Sequence, residues 1–269
     1  YIGLVVDIEQ QKQTENLLEA ALSSRDEFIS IASHELRTPL TSLKLFLQMT
    51  QRNHNRQDRM VSSREVSSIC EASLKQVNCL EHLVDNLLDV SRLRSGNLIL
   101  HPETLHMAEL VRRVVSRFAE ASAQAGCDII LDLEEGLCGR WDPYRLEQML
   151  GNLLSNAIKY APGKPISLSA RRQGERVLLN VRDQGPGIPT DKLAEIFERY
   201  AHPLSSKVNL GMGLGLYITR GLVDAHGGAI EAENTRRKGA SIKIALPLET
   251  NASYSGVRID ERRTGGIGA

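Results

Sequence analysis

The chain has 269 residues, with 33 basic and 33 acidic side chains and no formal net charge. Hydrophobic residues make up 41%, enough to bury cores, so wholesale disorder is excluded and two modest domains are expected. The charge balance removes the bulk positive field of a nucleic-acid binder, no run of about 18 apolar residues can span a bilayer, and no basic-flanked signal peptide opens the chain.

In chain order, Gly3-Leu4-Val5-Val6-Asp7-Ile8 reads as a short strand entering a polar helix, and the opening Tyr1 suggests a piece of a longer protein. Residues 9–52 follow a helical pattern interrupted only by Pro39, with Leu18, Leu22, Phe28, Ala32, Leu36, Leu43, Phe46 and Leu47 at three- and four-residue steps and their multiples. A run that long without an internal cap suggests a coiled coil leading into a bundle. After the polar break at 51–58, a second helix is expected over 61–93, with Val66, Ile69, Ser73, Val77, Leu80, Leu83, Leu87 and Val90 on its apolar face and Ser95-Gly96-Asn97 ending it. A hairpin with one apolar stripe per helix holds half a core and is expected to dimerise into a four-helix bundle.

Beyond Gly96, strands are expected over 97–103, 127–133, 139–141, 166–172, 177–183, 229–234 and 240–246, and helices near 107–124, 143–160, 190–196 and 215–225. Clustered strands with helices between them predict a two-layer α/β sandwich, largely antiparallel in its second half. From residue 249 onward, Gly, Ser, Arg and Thr without a period predict a disordered tail. Cys70, Cys79, Cys127 and Cys138 form no C-x-x-C pair and read as reduced core residues.

Chemistry-bearing residues fall in both halves. Within Ser33-His34-Glu35-Leu36-Arg37-Thr38-Pro39-Leu40, His34 points about 140° from the centre of the apolar stripe, toward water. Glu35 can hold one imidazole nitrogen and leave the other as a nucleophile, and Thr38, one turn on, can position a water. Pro39 withholds a hydrogen bond from the Glu35 carbonyl and marks a point of bending. A solvated surface histidine fits the same residues. Asn152, Asn156 and Lys159 share a helix face, where amide oxygens suit a hydrated metal and the ammonium a phosphate; a plain polar face is the alternative. Asp183 leaves a strand into Gly185-Pro186-Gly187, where a carboxylate can accept from an adenine amino group; a simple hairpin turn is the alternative. Gly211, Gly213 and Gly215 precede a helix and can turn backbone N–H groups toward phosphates. The polar stretch 200–210 reads as a lid, with Arg199 and Lys207 as phosphate contacts, or merely as a flexible loop.

Taken in order, these segments closely resemble the catalytic core of a bacterial sensor histidine kinase of a two-component system, over residues 9–248. Residues 33–40 resemble its H box, 152–160 its N box, 183–187 its first glycine box, 197–200 its F box and 211–216 its second glycine box; Gly239-Ala240-Ser241 is similar in part to a third. Leu210-Gly211 stands where many relatives have two glycines. The resemblance implies a signalling linker over 9–27, a dimerisation and phosphotransfer hairpin over 28–96 and a GHKL-type ATP-binding domain over 97–248, with 1–8 resembling the exit strand of a PAS sensor. It implies that His34 is the phosphoacceptor, Glu35 its orienting base and Thr38 a phosphatase residue. Asn152 and Asn156 would hold Mg2+ and phosphates, Lys159 the phosphates, Tyr160 the adenine face and Asp183 the adenine amino group. The implied function is autophosphorylation from ATP and transfer to an aspartate of a response regulator docking near Lys44 and Gln48, in a cytoplasmic homodimer regulated by rotation or bending of residues 9–28. A catalytically silent dimeric scaffold and another GHKL ATPase (gyrase, mismatch-repair or chaperone type) are the alternatives.

Overall fold

The structure, a computed structural model, describes residues 2–55, 63–201, 212–235, 238–249 and 257–259. It divides into two compact units, Tyr1–Leu87 and Leu88–Ala269.

The first unit is built from α1 (Ile2–Asn55) and most of α2 (Ser63–Arg94). Residues 3–8, expected as a strand, are the opening turns of α1. A short apolar run carries no period that separates strand from helix, and here no turn residue parts it from the polar helix that follows. The match to a sensor exit strand loses its basis accordingly. Pro39 does not end α1, because it removes a single donor from a helix whose other bonds continue on both sides. Shielded positions in α1 recur at Ala32, Leu36, Pro39, Leu43, Phe46 and Thr50; in α2 they recur at Ile69, Ser73, Gln76, Leu80, Leu83, Leu87 and Val90. Alternating steps of four and three are the heptad spacing of a packed helical seam. A second apolar stripe lies beside each seam and is exposed: Leu22, Ile29, Leu40 and Leu47 on α1, Val66, Val77 and Val84 on α2.

The second unit contains a five-stranded sheet of β3 (Ile129–Leu133), β5 (Ile166–Gln173), β6 (Arg176–Arg182), β8 (Ala240–Pro247) and β7 (Ala229–Asn234), in that spatial order. Only β3 and β5 run parallel. Alternate residues point inward, among them Leu168, Ala170, Val177, Leu179, Ile244 and Leu246. They meet the buried faces of α3 (Met107–Arg117), α5 (Pro143–Tyr160) and α6 (Gly215–Ala225). Two short pairs flank this core: β2 (Glu103–His106) with β4 (Cys138–Trp141), and β1 (Leu98–Leu100) with β9 (Val257–Ile259).

Several expectations shift. The strand expected over 97–103 is divided, since Pro102 has no N–H for a ladder. The helix expected over 107–124 breaks at Phe118, whose ψ of 1° leaves the helical region, so α4 (Ala119–Gln124) is separate. The helix expected over 190–196 shrinks to a 3-10 turn, Thr190–Lys192. The tail expected from residue 249 contains a bridge from Glu249 to Arg140 and the strand β9, while 250–256 and 260–269 lie outside the described residues. Of the four cysteines, all free, only Cys127 is buried.

Buried polar groups tie the elements together. Asp142 caps α5, its Oδ1 accepting from Arg145 N at 3.1 Å and its Oδ2 from His101 N at 2.9 Å. The Asp142 N–H donates to His226 Nε2 at 3.3 Å, so His226, fully buried, places its proton on Nδ1, 2.8 Å from Leu222 O. Arg145 Nη1 donates to Asp89 Oδ1 at 2.8 Å and Gln148 Nε2 to Asp89 Oδ2 at 2.6 Å. Asp89, in the last turns of α2, is 2% exposed and thus belongs to the interior of the second unit.

Two outcomes follow. Asp89→Ala leaves the Arg145 guanidinium buried and unpaired, so urea denaturation should show a loss of about 3–5 kcal/mol. Desolvation lowers the His226 pKa below its ordinary 6.5. The unfolded chain therefore binds this proton more tightly, and stability should fall as pH drops below about 6.5. Thermal melting between pH 8 and 5 should show that loss, and His226→Gln should reduce the dependence.

Candidate active site

His34 stands on α1 away from the shielded seam, with its side chain 76% exposed. Its Nδ1 lies 3.5 Å from Glu35 Oε1, and the Glu35 side chain is half-shielded, which restrains the carboxylate. With Nδ1–H directed at that carboxylate, Nε2 is left facing water with its lone pair. Thr38 Oγ1 donates to His34 O at 3.2 Å, which fixes the hydroxyl one turn from the imidazole with its acceptor side outward. The three residues expected to act together are therefore neighbours on one exposed face.

The second unit holds a cleft between α5, the end of β6, α6 and β8. Leu153, Ala157, Val181, Ile188, Ile196, Leu216 and Ile242 make its walls apolar, and Asn156, Tyr160 and Asp183 supply the polar groups. This composition suits a flat heterocycle recognised by a few polar contacts. Asp183 is held by two bonds to Oδ1, from Gly185 N at 2.8 Å and Ala240 N at 3.2 Å. Among the described residues Oδ2 accepts from nothing, which leaves it for a donor in the cleft. Burial raises the Tyr160 phenol above its usual pKa, so it remains neutral at the mouth of the cleft.

Two glycines make this arrangement possible. Gly239, at φ +104°, passes so close to Asp183 that any side chain would overlap the Asp183 carbonyl. A Cβ on Gly185 would fall 2.7 Å from Tyr160 O at the end of α5.

Of the residues expected at a nucleotide site, Asn156, Tyr160, Asp183 and Gly187 line the cleft. Gly185 lies in the same turn just behind it. Asn152 does not line it: its Nδ2 donates to Gly215 O at 3.1 Å and pins α6 to α5, leaving Oδ1 as its acceptor. Lys159 Nζ sits 5.3 Å from the centre of the Tyr160 ring, and Arg199 packs over Tyr217 at 6.0 Å. Gly213 lies against the Tyr200 main chain, and Gly215 opens α6. Gly211, Lys207 and Leu210 lie outside the described residues. Among the described residues no group of three or more His, Cys, Asp or Glu could cage a metal. The donors at hand are amide oxygens, which fit a hard cation brought in by a polyphosphate. Sequence reasoning missed Asn234 and Ile242; a strand-ending Asn carries no local sign of the distant turn it binds.

The segment 24–96 matches the family model described as the His Kinase A (phospho-acceptor) domain, and 141–250 matches Histidine kinase-, DNA gyrase B-, and HSP90-like ATPase. The chain is 32% identical over 229 residues to the signal transduction histidine-protein kinase AfsQ2 of Streptomyces coelicolor, covering 82% of this chain and 42% of that protein. It thus spans under half the length of that relative. The solved structure of the Acinetobacter baumannii histidine kinase AdeS is 27% identical with a TM-score of 0.61, over 80% of this chain and 98% of that one. Full-length ShkA, solved in complex with AMPPNP, is 27% identical with a TM-score of 0.57, over 84% of this chain and 47% of that one.

Proposed function

The chain belongs to the sensor histidine kinases, and we propose that it moves the γ-phosphoryl group of ATP onto His34 and from there to an aspartate of a response regulator. The observation that carries this reading is the exposed His34–Glu35 pair within the phospho-acceptor match. The Asp183 cleft within the ATPase match supports it, as does the AMPPNP bound by ShkA.

In this reading Asp183 Oδ2 accepts the adenine amino group, the apolar walls enclose the base, and Tyr160 borders its face. Asn156, with Asn152 Oδ1 one turn before it and Lys159 one turn after, faces the phosphates. The Asn156 and Asn152 amide oxygens would hold Mg2+ brought in with the triphosphate, and the charge it supplied there would offset negative charge developing on the phosphates. His34 Nε2 forms the N–P bond as the bond from the γ-phosphorus to the β-phosphate oxygen breaks and ADP leaves. The imidazolium so formed retains its Nδ1 proton, and Glu35 stabilises that charge. The phosphoryl group then passes to a carboxylate oxygen of the regulator, returning His34 to its neutral form. Thr38 would orient water for the reverse control, hydrolysis of the phosphorylated regulator. A silent scaffold would have no use for this pairing of nucleophile and orienting carboxylate. Among the described residues no helix is long and apolar enough to cross a membrane, and the use of ATP assigns the work to the cytoplasm.

We also propose a homodimer through the hairpin. The exposed stripe beside each seam is the support: two seams per helix are what a four-helix bundle needs, and one hairpin covers only the first.

With γ-labelled ATP and Mg2+, the chain should acquire acid-labile, alkali-stable label that His34→Gln abolishes; label persisting in that variant would refute the phosphoacceptor assignment. Light scattering should give the mass of two chains, falling to one in Leu40→Glu/Leu47→Glu. An unchanged mass in that variant would place the dimer contact elsewhere.

A further inference from the structure

Asn234 closes β7 opposite Ala240, and Thr235 N donates back to Gly239 O at 2.9 Å. From this hairpin three groups reach the turn that follows β6. Asp183 N donates to Ala240 O at 2.9 Å, and Ala240 N donates to Asp183 Oδ1. Gly239 packs on the Asp183 main chain. The third group is the Asn234 side chain. Its Oδ1 accepts from Ile188 N at 2.7 Å and its Nδ2 donates to Ile188 O at 2.6 Å.

That pattern is the one a neighbouring strand would make: one residue's N–H and C=O are both satisfied by a single partner. Here a side-chain amide supplies it across 46 positions of sequence. Ile188 and Gly187 line the cleft, whereas Asn234 is exposed and stands outside the lining. A Cβ on Gly187 would come within 2.9 Å of Asn234 Oδ1, so the amide is packed against the same turn that it bonds. Neither core packing nor capping of an element calls for an amide at this position, and what it holds in place is a wall of the cleft.

We propose that Asn234 is a positioning residue for the base end of the nucleotide, holding the Gly187–Ile188 wall at a set distance from Asp183 and thereby setting adenine selectivity. This rests on the nucleotide reading of the cleft. Asp183 Oδ2 attracts the exocyclic amino group of adenine; guanine presents a carbonyl oxygen at that edge, which the carboxylate repels. The repulsion discriminates only while the base cannot slide away from Asp183. With the wall released, both purines find room, affinity falls for the base, and discrimination narrows. The phosphate end, served by α5 and the start of α6, is untouched by the change.

Calorimetric titration of the whole chain with ATP, ADP, adenosine and GTP tests this, with Mg2+ present throughout. In Asn234→Ala, ATP, ADP and adenosine should each bind about tenfold more weakly, by one common factor, as expected for losing two hydrogen bonds at the base end. The ratio of ATP to GTP affinity should fall at the same time. Asn234→Asp provides the control for chemistry rather than shape. As a carboxylate it meets Ile188 O without a proton to donate and should bind ATP poorly at pH 8. Its side chain has nearly the shape of the amide, so its loss of ATP affinity should match that of Asn234→Ala. Asn234→Ala binding ATP as wild type does, or losing ATP but not adenosine, would overturn the proposal. So would an Asn234→Asp variant that binds ATP as wild type does. A wild-type chain that binds no purine would instead overturn the nucleotide reading, and this proposal with it.

Discussion

The carboxylate and N–H of Asp142 satisfy three demands at one point: the first turn of α5 through Arg145 N, the chain after β1 through His101 N, and the buried ring of His226 behind α6. Remove any of these partners and a buried polar group is left without its bond, which is why the three elements are placed together rather than independently. α5 then carries the consequence along its length. Arg145 reaches the interior Asp89, Asn152 pins the start of α6, and Asn156 and Tyr160 emerge at the cleft. The geometry of the cleft is thus set at both ends of one helix. The pair of Asp89 and Arg145 is buried on both sides, so it makes the last turns of α2 part of the second unit's interior. The division between units consequently falls within α2 rather than at the turn after it.

The two units treat their chemical groups in opposite ways. The cleft immobilises: Asp183 is bonded on one oxygen, pressed by Gly239, and faced by a turn that Asn234 holds. A carboxylate fixed in this manner can discriminate, because its position does not relax to suit a different ligand. His34 is the reverse, projecting from a helix beside Glu35 and Thr38 with its side chain exposed. On the proposed reading the same imidazole must be reached first by a nucleotide and then by a regulator, and an enclosed residue could not serve both. The shallow burial of the helical unit agrees with this division of labour. Its seams shield a narrow line of residues and leave a second apolar line exposed.

Strong local patterns were legible in the sequence. Residues 143–160 carry a cap at Asp142, Pro143 in the first turn and an apolar face, and α5 occupies that span. The ranges of α6 and β7 also follow from pattern, and the exposure of His34 follows from its angle to the stripe. Weak patterns misled. The apolar run at 3–8 suits strand and helix equally, and the polar helix downstream decided for helix. The segment 190–196 lacks a buried face of its own length and forms only one 3-10 turn. β9 has no period to announce it and exists by pairing with β1.

By itself the sequence determined which segments are periodic, where they start, and which side chains with chemical potential lie on one face or in one turn. Those properties depend on neighbours three or four residues away, so they are written locally. Only the tertiary structure decided which oxygen of Asp183 the main chain holds, that Asn152 serves α6, that Asp89 is buried against Arg145, and that Asn234 holds Ile188. The Asn152, Asp89 and Asn234 bonds join positions 63, 56 and 46 residues apart. No periodicity spans such distances; the partners meet because burying the apolar faces of α5, α6 and the sheet leaves their polar groups no other place to bond.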